Sequence, residues 1–413
     1  MTALGDLADR IDDTALTRGI YSTDASLYRV APVAVAIPKN TAELVTIVRT
    51  ALAAELPITS RGAGTSCAGN AVGPGLVIDC AKHLTKIIDI DPQRKTATIE
   101  PGVVQADLQT ALTKFGLRFG PDPSTSSRCT IGGMIGNNAC GPRALGYGRS
   151  ADNVVELKII TGTGEELVLN ADTKLPELQR LVASNLGTIR TEFGTFSRQV
   201  SGYSLEHLLP ENNFQVAKFF AGSEGTLGVI TQATVNLVAD APHKLTLALG
   251  YPTMADAGDD IANLLQFSPT ACEGLDARIV AVVRRSGKPV HKLTEGSGWM
   301  FLEIVGTDTA ELISRGEAIL TQANAIESWI VTDQDQADAL WKIRADGAGL
   351  AGVSLPNPAY GGWEDAAVPP AKLGAYLRAF DELLNRYELH GLPYGHFGEG
   401  CIHCRIDFPL DSA

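Results

Sequence analysis

The chain has 413 residues, of which 45% are hydrophobic and 20% charged, and its formal net charge is −13. Its length favours two or three domains, and an acidic chain without clustered Lys and Arg is not expected to present a broad nucleic-acid surface. The sequence has no apolar run of the roughly eighteen residues that a membrane helix needs, and it does not open with the charged-then-apolar order of a secretory signal. We therefore expect a cytoplasmic protein, with peripheral attachment to the inner membrane as the alternative.

Short strands and helices alternate over the first 240 residues. Residues 1–28 are predicted to form a helical lead-in, and residues 31–62 read as strand, helix and strand, with Thr41 as the helix cap. The elements predicted next are a strand at 76–80, two strands within 84–100 around the turn DPQ, a helix at 102–116 and a strand pair within 153–169. This mixture indicates an α+β fold rather than regular parallel winding.

The pattern changes near residue 240, where we place a domain boundary. The elements predicted beyond it are strands at 244–251, 271–277, 299–306 and 326–332, and helices at 252–267, 309–323 and 335–347. Strands and helices alternating in this way predict a ferredoxin-like antiparallel sheet backed by helices on one face.

Three segments consist largely of small residues. The first, RGAGTSCAGNAVG at 61–73, has more glycines than a tight turn needs, which favours close approach of a phosphate to backbone N–H groups; a plain glycine-rich loop is the alternative. The second, at 121–153, holds six glycines and two adjacent asparagines, a composition typical of a segment that is either disordered or ordered by a ligand. The third, FFAGSEGTLGVIT at 219–231, runs into a predicted strand.

In their order and spacing, the three segments resemble the FAD-binding domain of the vanillyl-alcohol oxidase superfamily, the fold shared by p-cresol methylhydroxylase (PCMH). The resemblance covers about 30–240 and implies a PCMH-type FAD-binding domain of two subdomains at 29–240, followed by a substrate or cap domain at 241–413. It implies that the following residues bind FAD: Arg61, Gly62, Ala63, Gly64, Thr65 and Ser66 at the pyrophosphate; Asp122, Ser124, Ser127, Thr130, Gly132, Gly133, Gly136, Asn137, Asn138, Gly141 and Gly148 at the adenosine and flavin; and Gly222, Glu224, Gly225, Gly228 and Ile230 closing over it.

The expected FAD is noncovalent, because covalently flavinylated relatives place a histidine where this chain has Thr65. A Rossmann site for NAD is the rival reading of these glycines. In GAGTSCAG the third glycine comes too late for GxGxxG, and the GTG at 162–164 lacks a third glycine and lies in a predicted hairpin. NAD is therefore not expected.

Two histidines, two cysteines and a glutamate are concentrated in PYGHFGEGCIHCRIDF at 393–408. Two neutral imidazoles could bind zinc or another divalent ion, or they could simply satisfy local hydrogen bonds. The segment resembles the GHxGDGNxH signature of the 2-hydroxy-acid dehydrogenases, which implies that His396 and His403 bind an active-site metal that polarises the substrate hydroxyl. Two positions depart from that signature, with Glu399 for Asp and Cys401 for Asn.

Arg344 is the candidate for binding a substrate carboxylate. The stretch Trp341–Arg344 resembles the WxxR segment whose arginine has this role in the family, and a guanidinium suits a bidentate pair with a carboxylate. The alternative is a surface arginine on a helix. A lysine that assists the same carboxylate in the family is replaced here by Trp363, so substrate identity is not carried over.

The function implied is that of a flavin-dependent dehydrogenase oxidising a D-2-hydroxy acid of the D-lactate, glycolate or D-2-hydroxyglutarate type. Hydride passes to the flavin, and electrons leave through an iron–sulfur module or a quinone chain. One alternative is an oxidase of the same fold that acts on a sugar or alditol and passes electrons to oxygen. Another is a catalytically silent FAD-binding or electron-transfer module. A homodimer is a further expectation.

The resemblance is strongest to the large bacterial forms that carry a fused iron–sulfur domain. In the family, a histidine in an E-H-G stretch well beyond the paired histidines is the proposed base, and this sequence reaches Ala413 without it. No four-cysteine run follows either. The expectation is a C-terminally truncated chain with little activity, whose cluster would exist only in a full-length form.

Overall fold

The computed structural model describes residues 9–285, 287, 292–350, 355 and 357–410. This part of the chain forms two compact units. The first unit comprises the described residues up to Gly141, then Gly148–Gly194 and Val200–Asp240. The second comprises Pro142–Tyr147, Thr195–Gln199 and the described residues from Ala241 onward, so that two short stretches of the N-terminal half belong to it.

Short strands dominate the chain before residue 241. The bounds are β1 (Ile11–Asp12), α1 (Ala15–Ile20), β2 (Ala34–Ala36), α2 (Thr41–Ala53), β3 (Ile58–Arg61), β4 (Leu76–Asp79), β5 (Ile87–Asp91), β6 (Thr96–Ile99), α3 (Gln105–Thr113), β7 (Leu117–Arg118), α4 (Ile131–Gly136), α5 (Ala144–Tyr147), β8 (Val154–Thr161), β9 (Glu166–Leu169), α6 (Pro176–Ser184), α7 (Leu186–Glu192), α8 (Val216–Phe220), β10 (Gly228–Asn236) and β11 (Val238–Ala239).

Two main sheets organise the first unit. One has the order β1-β2-β4-β3, in which β2, β3 and β4 are parallel and β1 is an antiparallel edge. The other is antiparallel, in the order β5-β6-β10-β8-β9. The α+β prediction is confirmed.

Two local predictions differ from the structure at the N-terminal end. Within the described part of residues 1–28, the α-helix is confined to α1, because Ile11 and Asp12 pair with β2 as an edge strand. Helix α2 is capped by Asn40 rather than Thr41: Asn40 is extended, and its side chain accepts a hydrogen bond from the Glu43 N–H. Thr41 is the first helical residue.

The second unit is built from longer strands and helices. Besides α5, its bounds are β12 (His243–Tyr251), α9 (Met254–Asp259), α10 (Ile261–Leu265), β13 (Ala271–Asp276), α11 (Ala277–Arg285), β14 (Gly298–Gly306), α12 (Thr309–Gln322), β15 (Glu327–Val331), α13 (Gln334–Leu350), β16 (Tyr360–Ala367), α14 (Leu373–Arg386), β17 (Gly391–Tyr394) and β18 (Cys401–Ile406).

The main sheet of this unit is antiparallel, in the order β13-β14-β12-β15. With helices after β12 and β14, this is the predicted ferredoxin-like arrangement. The two central strands are almost entirely buried, which accounts for their apolar sequences. A smaller antiparallel sheet, in the order β16-β18-β17, carries the C-terminal histidine segment.

Candidate functional site

The first two glycine-rich segments are in direct contact. A Cβ atom at Gly62 would lie 2.2 Å from the Thr130 Oγ1 atom, so no larger residue fits there without displacing that side chain. Thr130 is buried, and its Oγ1 accepts a hydrogen bond from the Gly133 N–H at 3.2 Å, capping α4. The glycine therefore allows the loop at 61–73 to lie against the N-terminal end of α4.

The third segment binds the other end of α4. The N–H groups of Gly222 and Glu224 donate to the carbonyls of Ile135 and Gly136, each at 2.9 Å. All three small-residue segments thus meet around this one short helix.

Two buried polar groups at this meeting point lack a hydrogen-bond partner among the described residues. They are the Asn138 Nδ2 group, just after α4, and the Ser223 hydroxyl of the third segment. An unpaired buried donor is costly, so such groups indicate a site for a polar ligand.

Arg61, which the sequence assigned to the pyrophosphate, has a bracing role within its own loop. Its Nη1 donates to the Ala71 carbonyl at 3.0 Å, and its guanidinium lies 5.2 Å from the centre of the Tyr21 ring. Tyr21 in turn donates to the Asp79 carboxylate at 2.5 Å, while the Ala25 N–H donates to the Gly64 carbonyl at 3.1 Å. The segment before β2 and Arg61 together fix the conformation of the glycine-rich loop.

The remaining predicted FAD residues divide into two groups. Gly228 and Ile230 lie in β10, where Gly228 makes room for the Ile160 carbonyl and the Ile230 side chain is part of the core. Their positions are explained by packing within the first unit. The second group lies elsewhere in the three small-residue segments and comprises Ala63, Thr65, Ser66, Asp122, Ser124, Ser127, Gly132, Gly136, Asn137, Gly141, Gly148 and Gly225. Within this group, Gly148 packs against Asp152.

In the second unit, the structure brings His396 and His403 together. His403 lies in β18, and His396 lies in the loop between β17 and β18. Their Nε2 atoms are 3.2 Å apart, and the two rings are nearly perpendicular. Two nitrogens bound at 2.0–2.1 Å to one tetrahedral ion would be about 3.3 Å apart, so the spacing fits a shared metal.

Asp365, which the sequence did not identify, completes a group of three possible metal ligands with His396 and His403. One carboxylate oxygen of Asp365 and one nitrogen from each histidine lie within 4.8 Å of one another. Asp365 lies at an irregularity in the pairing of β16 with β18 and has a left-handed φ of 50°. A bulge re-aims side chains, which explains how a strand residue comes to face the histidines.

A buried arginine lies beside this group. Arg198 donates from Nε to Glu399 at 2.9 Å and has its Nη1 3.6 Å from the Asp365 carboxylate. Burial acts to raise the pKa of Asp365, but its electrostatic interactions with His403 and Arg198 outweigh that effect and lower the pKa to about 2. Asp365 is therefore ionised, as a metal ligand must be.

A single glutamate, Glu273 of β13, connects His396 to Arg344. Its Oε1 lies 2.8 Å from His396 Nδ1, and its Oε2 lies 2.5 Å from Arg344 Nη2. Arg344 is on α13 and is 6% exposed, so it is not the surface arginine of the alternative reading. The guanidinium also lies 5.3 Å from the centre of the Tyr394 ring.

Burial sets the protonation of these groups. It lowers the pKa of His396 well below the ordinary histidine value, with help from the charges of Arg198 and Arg344, so this imidazole is neutral and can bind a metal. Burial raises the pKa of Glu273, and the charge of Arg344 opposes that rise. Burial also raises the pKa of Cys401 well above the usual thiol value, so Cys401 is not a thiolate.

The first unit thus has loops arranged for a large polar ligand, and the second has a donor set for a metal beside a buried arginine. This combination defines a two-domain flavoprotein oxidoreductase. Residues 32–170 match the FAD binding domain family, and residues 241–413 match the C-terminal domain of FAD linked oxidases. The chain belongs to the FAD-linked oxidase family, as the sequence indicated.

Curated relatives match most of the length of this chain. The chain is 30% identical to the glycolate oxidase subunit GlcD of Bacillus subtilis, covering 97% of this chain and 78% of the relative. It is 31% identical to a D-lactate dehydrogenase of Archaeoglobus fulgidus, covering 89% and 73%. It is 27% identical to a D-2-hydroxyglutarate dehydrogenase of Pseudomonas putida, covering 94% of this chain but only 42% of that protein.

Solved structures show the same fold at low sequence identity. An alkyldihydroxyacetonephosphate synthase has a TM-score of 0.68 at 16% identity, covering 98% of this chain and 75% of that one. A 4-ethylphenol oxidase from Gulosibacter chungangensis has a TM-score of 0.67 at 13% identity, covering 98% and 82%. The PCMH-type fold prediction is confirmed. No helix in the described part of the chain has the length and apolar character needed to cross a bilayer.

Proposed function

We propose that this chain is the flavoprotein part of a dehydrogenase that oxidises a D-2-hydroxy acid to the 2-oxo acid by hydride transfer to noncovalent FAD. The relatives named above support the reaction class. The observation that carries the proposal is the group formed by His396, His403 and Asp365, next to a buried Arg344. An α-hydroxy acid offers a hydroxyl oxygen for a metal and a carboxylate for a guanidinium, and these residues would supply the metal ligands and the guanidinium.

The residues of the first unit fit FAD. The three small-residue segments meet at α4, and the unpaired Asn138 Nδ2 and Ser223 hydroxyl are suitable donors to a phosphate or a flavin carbonyl. The FAD site is proposed to consist of these segments, with Arg61 bracing the loop at 61–73. Bound FAD would supply the acceptor for the hydride from substrate C2.

The second unit fits a divalent ion such as zinc. His396 and His403 would offer Nε2, and Asp365 a carboxylate oxygen. The ion would lower the pKa of the substrate hydroxyl, so that its proton could be released to solvent as the hydride leaves C2. Arg344 would bind the substrate carboxylate and thereby fix the orientation of C2, while the buried position of His396 limits access of water.

The proposal also covers the electron acceptor, the oligomeric state and the cellular location of the protein. Electrons are proposed to pass to an iron–sulfur module or a quinone chain, and the protein is proposed to act as a cytoplasmic homodimer with peripheral attachment to the inner membrane as the alternative. The molar mass in solution and co-sedimentation with inner-membrane vesicles test the last two points.

The test is anaerobic bleaching of the flavin absorbance in FAD- and zinc- or manganese-loaded protein. We expect D-lactate, glycolate or D-2-hydroxyglutarate to bleach it, and the L-enantiomers not to. Arg344→Met should raise the substrate concentration needed by about tenfold or more, whereas Arg378→Met, an exposed arginine paired with Asp259, should not. The proposal is wrong if no D-2-hydroxy acid bleaches the flavin, or if a sugar or alditol does so and oxygen then yields peroxide.

A further inference from the structure

Glu273 is a fully buried carboxylate that contacts two functional side chains from different elements. One oxygen faces His396 Nδ1 at 2.8 Å, and the other faces Arg344 Nη2 at 2.5 Å. The residue is 0% exposed, so bulk solvent does not reach either oxygen. The position of this one carboxylate therefore bears on both the imidazole and the guanidinium.

The backbone around Glu273 holds it in this place. The next residue, Gly274, donates its N–H to the Gly395 carbonyl at 2.9 Å, which joins β13 to the loop that carries His396. A Cβ at Gly274 would lie 2.4 Å from the Phe397 ring, so only glycine permits this approach. On its other side, β13 pairs with β14, where Glu273 is opposite Phe301. The strand cannot shift without breaking these contacts.

The contact with His396 selects a tautomer. A carboxylate is an acceptor, so the imidazole donates Nδ1–H to Glu273 and keeps its lone pair on Nε2, which is the atom that faces His403. Carboxylates in this position orient metal-binding histidines and raise their basicity.

The contact with Arg344 leaves part of the guanidinium available. Nη2 lies 2.5 Å from Glu273 Oε2 in an ion pair, but neither Nη2 nor Nε has a hydrogen-bond partner among the described residues. A planar guanidinium held at one corner presents its other N–H groups in a fixed direction. A substrate carboxylate is the group that such unpaired donors would bind.

We propose that Glu273 is a positioning residue that couples metal binding to recognition of the substrate carboxylate, by fixing the His396 tautomer with one oxygen and the Arg344 guanidinium with the other. This inference rests on the proposed function and adds a residue with no role in it so far. It requires that loss of the Glu273 charge weakens both binding events, although Glu273 touches neither the ion nor the substrate.

Glu273→Gln is the discriminating variant, because an amide has nearly the same shape but only one acceptor. If the amide oxygen of the new side chain accepts from His396 Nδ1–H, the amide NH₂ faces the N–H donors of Arg344. If the amide is reversed, its NH₂ faces His396 Nδ1 and forces the tautomer that is protonated at Nε2. We expect the Kd for zinc and manganese in the FAD-loaded protein to rise about 10- to 100-fold. We also expect KM for the hydroxy acid to rise by about tenfold.

Glu303→Gln is the matched control. Glu303 is also a buried glutamate, on the neighbouring strand β14, and it pairs with Arg143 at 2.6 Å. It contacts none of the proposed ligands in the described structure, so its variant should lower the thermal stability but leave the metal Kd unchanged. Equal metal Kd values for wild type and Glu273→Gln overturn the inference while the proposed function stands. A wild-type protein that binds no divalent ion overturns both.

Histidine ¹⁵N NMR tests the inference without any variant, in case Glu273→Gln does not fold. In the metal-free, FAD-loaded wild type, His396 should be a neutral ring protonated at Nδ1. A ring protonated at Nε2 instead would mean that Glu273 does not set the tautomer, and would overturn the proposal.

Discussion

Replacing Gly62 by alanine tests whether the three small-residue segments meet as the structure shows. The new Cβ would lie 2.2 Å from Thr130 Oγ1, well inside van der Waals contact. Thr130 can relieve the clash by rotating, but it then loses its hydrogen bond to the Gly133 N–H. Loss of a helix cap costs about 1 kcal/mol, and overpacking a buried site costs about 1–3 kcal/mol. We expect Gly62→Ala to lower the free energy of unfolding by about 2–3 kcal/mol.

The assay is urea unfolding followed by far-ultraviolet circular dichroism, combined with a double-mutant cycle. Thr130→Ala alone should cost about 1 kcal/mol for the lost cap. Because it removes the clashing atom, the double variant should cost about the same as Thr130→Ala, leaving a coupling of about 2–3 kcal/mol. Gly187→Ala is the control, since a Cβ there meets nothing within 4 Å and should be neutral or slightly stabilising. Additive effects, or a Gly62→Ala protein as stable as wild type, would refute the reasoning.

Three further predictions concern titration, the cofactor loop and the metal. Burial lowers the pKa of His207 to about 4, so as the pH falls from 6.5 toward 4 the unfolded chain gains a proton that the folded protein does not. Stability should therefore decline in this window, and His207→Gln should remove up to about 3 kcal/mol of that decline, as measured by urea unfolding across the window; an unchanged pH profile contradicts the assignment. Arg61→Lys keeps the charge but loses the hold on the Ala71 carbonyl, so the Kd for FAD, measured by flavin fluorescence, should rise about tenfold; an unchanged Kd would mean that charge alone matters. Asp365→Asn should weaken zinc binding by at least about tenfold in a chelator competition, and wild-type affinity in that variant would remove Asp365 from the ligand set.

Local sequence patterns were sufficient to predict much of the fold. Alternating β-branched residues around the DPQ turn predicted the pair β5 and β6, and the apolar run after residue 243 predicted β12. Both predictions succeed because a buried strand face requires apolar residues at regular positions in the sequence. The cap of α2 shows the limit of such patterns. Asn40 and Thr41 are both good caps, and only the extended backbone at Asn40 decides between them.

The contacts around the histidines could not be predicted in this way. Glu273 lies in the strand ACEGLD, 123 positions from His396, and no local feature distinguishes it from any other strand glutamate. Arg198 is 201 positions from Glu399 and comes from a turn without a recognisable motif. The orientation of the Asp365 side chain depends on a bulge, and a bulge is defined by the pairing of two strands rather than by local sequence. Long-range partners of this kind are defined by tertiary structure.

The second unit is formed from three separate stretches of the chain, which limits how it can be expressed on its own. A polypeptide spanning 241–413 contains the whole region that matches the C-terminal oxidase domain, yet it omits Pro142–Tyr147 and Thr195–Gln199. Those two short stretches supply Arg143 for Glu303 and Arg198 for Glu399. Without them, the Glu303 and Glu399 carboxylates lose these two ion pairs, and breaking a buried ion pair costs about 3–5 kcal/mol. Such an excised piece should be poorly soluble, and grafting both peptides back through short linkers is the minimal repair.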